Sequence, residues 1–225
     1  MLKYIKTAGV ILSLLFIAQT FAVDSDSKSA KCKKIMIEEG VSDDRLYTYA
    51  LIGSTCSNLA RVDVAVDFNN ENIKDQYKKH NNNLTRNAKS DVGVIPVNIT
   101  FNEPVTIEKA QSIIDAQNIN LESYIIGVVD STNKKHSFVE WPESDIISSE
   151  AQIQQKLAAD QTAKGVLVIT GFIDLRVANL DSMANDKSVY MVDLTASQLI
   201  QKLQKKYDLA ITTVNLPSPY WDMNW

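Results

Sequence analysis

Glycine is scarce in this chain: only 7 of its 225 residues are glycine. Loops that cradle a phosphate and strained catalytic turns depend on glycine, because glycine reaches backbone conformations that other residues avoid. Histidine is scarcer still, with His80 and His136 alone, which leaves few bases and few metal ligands. These shortages argue against a nucleotide-binding loop and against most histidine-based chemistry.

An excess of positive charge is also lacking. The chain has 23 basic residues against 27 acidic ones, a net charge of −4 at pH 7. A nucleic-acid partner needs a basic face, so we expect none here. The acidic stretches at 24–28 and 43–44 lack the residue order of a calcium loop. We therefore expect no metal and no cofactor.

Long hydrophobic runs are absent after the first residues. Lys3 and Lys6 precede an apolar run at 9–17, and Thr20 and Ala22 stand three and one residues before a cleavage point after Ala22. This pattern is typical of a secretory signal peptide over 1–22. The run falls short of the about 20 residues of a membrane span, although an uncleaved anchor is the alternative. We expect an exported protein, periplasmic, at the cell surface or extracellular, with no stable membrane span after cleavage.

Cysteine is limited to Cys32 and Cys56, both in the exported part of the chain. In an oxidising compartment a single pair predicts a disulfide. The bond would close a loop of about 25 residues and stabilise the fold by roughly 3 kcal/mol. A redox or metal-binding thiol pair is the alternative, but the spacing is far from C-x-x-C.

The N-terminal half of the mature chain divides into two parts. We expect residues 23–68 to form a strand-rich segment that the disulfide crosslinks. In its last part, polar or small residues alternate with Val62, Val64, Val66 and Phe68, which predicts a strand. Residues 69–91 are polar and rich in asparagine, which indicates a linker or loop. On this interpretation His80 is solvated.

Residues 92–216 form the predicted core domain. Its elements follow the order β-α-β-β-α-β, which predicts an α+β ferredoxin-like (split βαβ) sheet with helices on one face and an extra C-terminal αβ unit. Gly165 stands where a helix C-cap glycine is preferred. The nearly continuous apolar run at 166–175 is typical of a central strand that is covered on both faces.

Gly171 raises the alternative of a phosphate-binding turn between a strand and a helix. It is the only glycine at that junction, and Phe172, Ile173 and Asp174 follow it. Bulky side chains would block a phosphate there, and Asp174 would repel it. The stretch therefore indicates a scaffold strand and no phosphate site.

The hairpin turn near residue 130 holds the one candidate catalytic cluster. His136, Asp130 and Ser131 would lie close together in such a turn. Turns select Asp and Ser for backbone reasons, so we interpret the cluster as structural and assign no catalytic residue.

The C-terminal tail, 217–225, carries Tyr220, Trp221 and Trp225. Exposed aromatic side chains beside prolines are candidates for binding a partner. The alternative is a tail that folds back over the core.

The sequence thus favours an exported, non-enzymatic α+β domain that binds or regulates another exported or cell-surface protein. The alternative is a secreted hydrolase whose site is built from dispersed carboxylates or from His136. Export and domain size are compatible with either.

Overall fold

A computed structural model describes residues 32–88, 93–142 and 144–217. The predicted signal peptide at 1–22 and the tail residues Tyr220, Trp221 and Trp225 lie outside the described residues. In chain order the described elements are β1 (Lys34–Val41), β2 (Thr48–Ser54), β3 (Ser57–Ala65), α1 (Glu71–Asn87), β4 (Val94–Val105), α2 (Ile107–Gln117), β5 (Asn120–Asp130), β6 (Lys135–Glu140), α3 (Glu150–Gln154), β7 (Gln161–Asp174), α4 (Leu180–Ala184), β8 (Val189–Asp193), α5 (Thr195–Tyr207) and β9 (Ala210–Asn215).

The strands form two sheets. The small sheet has the order β1-β2-β3-β9, and the large sheet has the order β6-β5-β7-β4-β8. All neighbours in the large sheet are antiparallel, whereas β9 runs parallel to β3 in the small sheet. The α+β class is confirmed. The pairing of β9 with β3 is a connection that no sequence pattern indicated.

The specific ferredoxin-like topology is not confirmed. In that topology the third strand of the β-α-β-β-α-β unit lies between the first and second strands. Here the fourth strand, β7, lies between β4 and β5, and β6 stands at the edge. The reason is burial: the fully buried segment 166–169 of β7 requires cover on both faces, whereas β6 is short and only half-buried. The prediction that this apolar run is a central strand is confirmed.

Helices cover both faces of the large sheet, not one face as expected. On β8, Val192 belongs to the main core together with Ile113 of α2. Its neighbour Met191 belongs to a second core with Leu199 of α5 and Leu51 of the small sheet. Because successive strand residues point to opposite faces, β8 is packed on both sides.

Residues 71–87 form a helix, α1, where we expected a linker or loop. Asn70 caps its N-terminus by accepting hydrogen bonds from the amides of Asn72 and Ile73. Its buried stripe is Tyr77, Asn81 and Thr85, spaced one helical turn apart. Hydrophobic periodicity does not reveal this stripe, because two of its three residues are polar.

Gly165 is not a helix C-cap. Helix α3 ends at Gln154, and Gly165 lies inside β7 with a φ of 131°. A Cβ atom there would stand 2.2 Å from the carbonyl oxygen of Val105. Glycine is required because the backbones of β4 and β7 approach closely at this point.

Candidate functional site

Asp130 and His136 meet across the β5–β6 turn, as the sequence indicated. Oδ2 of Asp130 lies 2.8 Å from Nε2 of His136. The other carboxylate oxygen accepts hydrogen bonds from the amide of Thr132 at 2.8 Å, its hydroxyl at 2.6 Å and the amide of Lys134 at 3.0 Å. The Thr132 hydroxyl, followed by His136, holds the pKa of Asp130 well below its ordinary value. Both oxygens of the Asp130 carboxylate are therefore engaged in hydrogen bonds within the hairpin.

A carboxylate beside a histidine does not by itself make an acyl-transfer site. A general base must present a ring nitrogen to a nucleophile, while a carboxylate orients the other nitrogen. Ser131 is exposed at the tip of the turn. Asp130 engages Nε2 of His136, so Nδ1 is the nitrogen that would have to face a nucleophile. The contact fits the interpretation of these residues as turn elements.

His80 is not solvated in a linker, contrary to expectation. It lies on α1 with its side chain 18% exposed, and its Nδ1 is 3.0 Å from Oδ2 of Asp44. Its Nε2 is buried and has no hydrogen-bond partner in the described part of the chain. Burial works to raise the pKa of Asp44, but bonds from the Ser42 hydroxyl and the Leu46 amide, with the nearby His80, give a net lowering. The contact joins α1 to the β1–β2 connection.

A fully buried polar network adjoins His80. The hydroxyl of Tyr77 donates to Oδ2 of Asp193 at 2.7 Å and lies 3.0 Å from Oγ1 of Thr195. Asn81 accepts a bond from the amide of Leu194 at 2.8 Å. Burial raises the pKa of Asp193 despite these donors. The network fastens α1 to the junction of β8 and α5, and no sequence motif marked it.

A cavity of about 130 Å³ lies beside His80. Its one serine, Ser42, accepts hydrogen bonds from the amides of Leu46 and Tyr47 at 2.8 and 3.1 Å, so it is engaged as a turn residue. The cavity therefore offers little for nucleophilic catalysis. The lining residues are Ser42, Asp43, Asp44, Tyr47, His80, Gln198, Leu199 and Lys202.

Glu38 joins the small sheet to α5. Its carboxylate accepts hydrogen bonds from Tyr49 at 2.7 Å, from Lys206 at 2.7 Å and from the hydroxyl of Tyr207. The Lys206 ammonium, followed by the two hydroxyls, lowers the pKa of Glu38 to about 2. These bonds hold the middle of β1 against the body of the protein.

The edge strand β1 bears the most apolar exposed surface of the small sheet. Ile35, Met36 and Val41 are 42%, 54% and 54% exposed. A groove of about 470 Å³ lies across β1, β2 and β3 at the end of β1 that holds Val41, and Val41 lines it, whereas Ile35 and Met36 lie nearer the other end of the strand. The groove is lined by Glu39, Gly40, Val41, Thr48, Tyr49, Ala50, Asp63, Val64 and Ala65.

The Cys32–Cys56 disulfide predicted from the sequence is confirmed. It pins the start of β1 to the β2–β3 turn. Within residues 32–88, 93–142 and 144–217, no group of three or more His, Cys, Asp or Glu side chains is placed to hold a metal ion. Among the helices of these same ranges, none is long and apolar enough to cross a membrane.

Comparison of the chain with protein-family models, with curated proteins and with solved structures returned no match.

Proposed function

We propose that this chain is an exported, non-enzymatic domain that binds another protein, and that the partner docks as an extended segment along β1. One observation carries the proposal: the edge strand β1 exposes three hydrophobic side chains along its length, and Val41 among them lines the groove. Extended peptides bind exposed sheet edges by main-chain hydrogen bonds, and neighbouring pockets supply specificity.

The exposed edge is unusual for a free surface. Natural proteins protect sheet edges with charges, prolines, bulges or covering loops, because an apolar edge recruits other strands. The strand β1 has a bulge between Met36 and Glu38, which limits such pairing. Its Ile35 and Met36 nevertheless stay in solvent on one side of the bulge, and Val41 on the other. A specific partner accounts for this surface.

The edge is also pre-organised. The disulfide holds the start of β1, where the amide of Thr55 donates to the carbonyl of Lys33 and the amide of Lys33 donates to Oγ1 of Thr55, both at 3.0 Å. Glu38 holds its middle. A surface that is rigid before binding loses less entropy when the partner arrives.

The charges of the groove indicate the chemistry of the partner. Glu39 and Asp63 line it, and no basic residue does. Asp63 is already bonded to Arg61 at 3.0 Å and to Asn215 at 2.6 Å, whereas Glu39 is exposed. We therefore expect an apolar extended segment that places a lysine or arginine near Glu39.

Export is supported by the disulfide, which persists in oxidising compartments. The signal peptide remains a prediction. The aromatic tail follows β9, the other edge strand of the small sheet, and Tyr220, Trp221 and Trp225 remain candidate partner contacts.

The hydrolase alternative is supported only by the contact between Asp130 and His136. We rank it second because the Asp130 carboxylate is engaged by the turn.

Site-specific photocrosslinking tests the docking surface. A photoreactive residue replaces Met36 in the exported chain, and Val177, which is 62% exposed, is the matched control position. We expect one discrete crosslinked protein from the native exported fraction at position 36 and not at position 177. Equal crosslinking at both positions, or none at position 36, would overturn β1 as the docking strand.

A further inference from the structure

An exposed apolar surface lies at the end of β6, one of the two edge strands of the large sheet. It is separate from the exposed side chains of β1. Val139 is 43% exposed and Trp141, which directly follows β6, is 69% exposed. Phe138, which precedes Val139, packs against the main core. Tryptophan is among the more buried residue types and is enriched among residues that anchor interfaces.

The row of cross-strand neighbours that ends at Val139 starts inside the protein. Cross-strand pairing aligns Thr100, Val168, Ile125 and Val139 over β4, β7, β5 and β6. Thr100 and Val168 are buried, Ile125 is half-buried and Val139 is exposed. The row therefore stops at the outer edge of β6, where a further strand would continue it.

The charges of β6 are unequally distributed along the strand. Lys134 directly precedes the strand, Lys135 and His136, which contacts Asp130, stand at its beginning, and Glu140, which contacts Lys156, stands at its end. A parallel neighbour of the same sequence would oppose like charges. An antiparallel neighbour of the same sequence brings the basic beginning next to the acidic end. The strand is thus complementary to itself in the antiparallel sense.

We infer that β6 pairs with β6 of a second copy of this chain, antiparallel about a two-fold axis at Phe138, which joins two large sheets into one. In this register Ser137 faces the second copy's Val139, and His136 faces the second copy's Glu140. Lys135 faces the second copy's Trp141, so that its aliphatic stem and ammonium cover the indole.

The register follows from the strand itself. Directly opposed residues on antiparallel strands share a face, so the axis must pass through a residue. Moving the axis to Ser137 would place Trp141 opposite the turn at Asn133 and leave the indole uncovered. The axis at Phe138 keeps both exposed side chains, Val139 and Trp141, inside the interface. It also places His136 opposite the second copy's Glu140, whereas an axis at Val139 would place His136 opposite Pro142.

Sedimentation equilibrium of the full exported chain tests the pairing. We expect a monomer–dimer equilibrium, and we expect Val139→Asp to raise the dimer dissociation constant about tenfold or more because it adds an unpaired charge at the interface. Val177→Asp is the matched control and leaves the constant unchanged. Circular dichroism of both variants checks that the fold is kept.

Mixing two cysteine variants tests the register. Ser137→Cys and Val139→Cys, each in the disulfide-containing chain, are oxidised separately and as a mixture. We expect a crosslinked dimer in the mixture and little in either variant alone. A monomer at all concentrations, a dimer indifferent to Val139→Asp, or crosslinking equal in all three samples would overturn the proposed pairing.

Discussion

The hydroxyl of Tyr77 lies 2.7 Å from Oδ2 of Asp193, and both side chains are buried. Tyr77 stands on α1, in a stretch that looks like a polar linker in the sequence, and Asp193 ends β8. This bond attaches the asparagine-rich helix α1 to the end of β8. Together with Asn81 and Thr195 it connects α1 to both the large sheet and α5.

Removing that hydroxyl should destabilise the protein. We expect Tyr77→Phe to lower the free energy of unfolding by about 1 to 3 kcal/mol, because Asp193 would lose a buried donor. Tyr47→Phe is the matched control, since its hydroxyl makes only a 3.5 Å contact with Gln198. Urea denaturation measures both. Equal losses in the two variants would show that the Tyr77 bond has no special role.

Glu38 should make the fold sensitive to acid. Its pKa is lowered to about 2 from an ordinary value of 4.5, first by Lys206. A lowered carboxyl pKa stabilises the folded state above the unfolded value, and that stabilisation is lost as the pH falls from about 4.5 toward 2. Glu38→Gln should lower the free energy of unfolding by about 1 to 3 kcal/mol at neutral pH, with the difference from the native protein shrinking in acid.

Denaturation curves at pH 7 and at pH 3 measure this difference, with the exposed Glu39→Gln as control. A Glu38→Gln difference that stays constant with pH would contradict a stabilising carboxylate.

The disulfide should contribute substantially to stability. We expect Cys32→Ser with Cys56→Ser to lower the free energy of unfolding by about 3 kcal/mol, because the unfolded chain regains the freedom of a loop of about 25 residues. For a chain of this size the melting temperature should fall by about 6 to 12 °C. Calorimetry of the oxidised protein and the double variant makes the comparison. An unchanged melting temperature would indicate that the bond does not constrain the unfolded chain.

Gly165 should tolerate no side chain. Gly165→Ala places a Cβ 2.2 Å from the Val105 carbonyl oxygen at a φ of 131°, so we expect a loss of about 3 kcal/mol or more. Gly93 also has a positive φ, 79°, but its Cβ position is open. Gly93→Ala should cost only about 1 kcal/mol. Similar losses would mean that backbone conformation alone, and not the close approach of β4 to β7, determines the effect.

The Asp130–His136 pair should act on the turn and not on a substrate. We expect Asp130→Ala to lower the melting temperature because Thr132 and Lys134 lose their acceptor. His136→Ala should leave any hydrolysis by the native protein unchanged over a panel of ester, peptide and glycoside substrates. Loss of hydrolysis in both variants would favour the hydrolase alternative.

The elements that the sequence predicted well are those set by local pattern. Helix α2 shows such a pattern: Thr106 caps its start by accepting a bond from the amide of Lys109, and the helix buries Ile113 and Ile114 on one face. The β5–β6 hairpin and its Asp130–His136 contact follow equally from residues that are neighbours in the chain.

The features that the sequence could not predict depend on long-range packing. The order of the large sheet depends on which strand needs cover on both faces. In the small sheet, β9 pairs with β3 although the two strands are far apart in the sequence. The pairing of His80 with Asp44 has no local pattern at all. Buried asparagine and threonine on α1 concealed its inward face, because polarity usually indicates solvent exposure.

Hydrogen exchange of the β1 amides tests the docking claim most directly. The protein is measured alone and saturated with the partner captured at position 36. Docking along β1 predicts that exchange slows at Lys34–Val41 on binding, while the amides near Val177 are unaffected. Unchanged exchange throughout β1, with protection elsewhere, would contradict it.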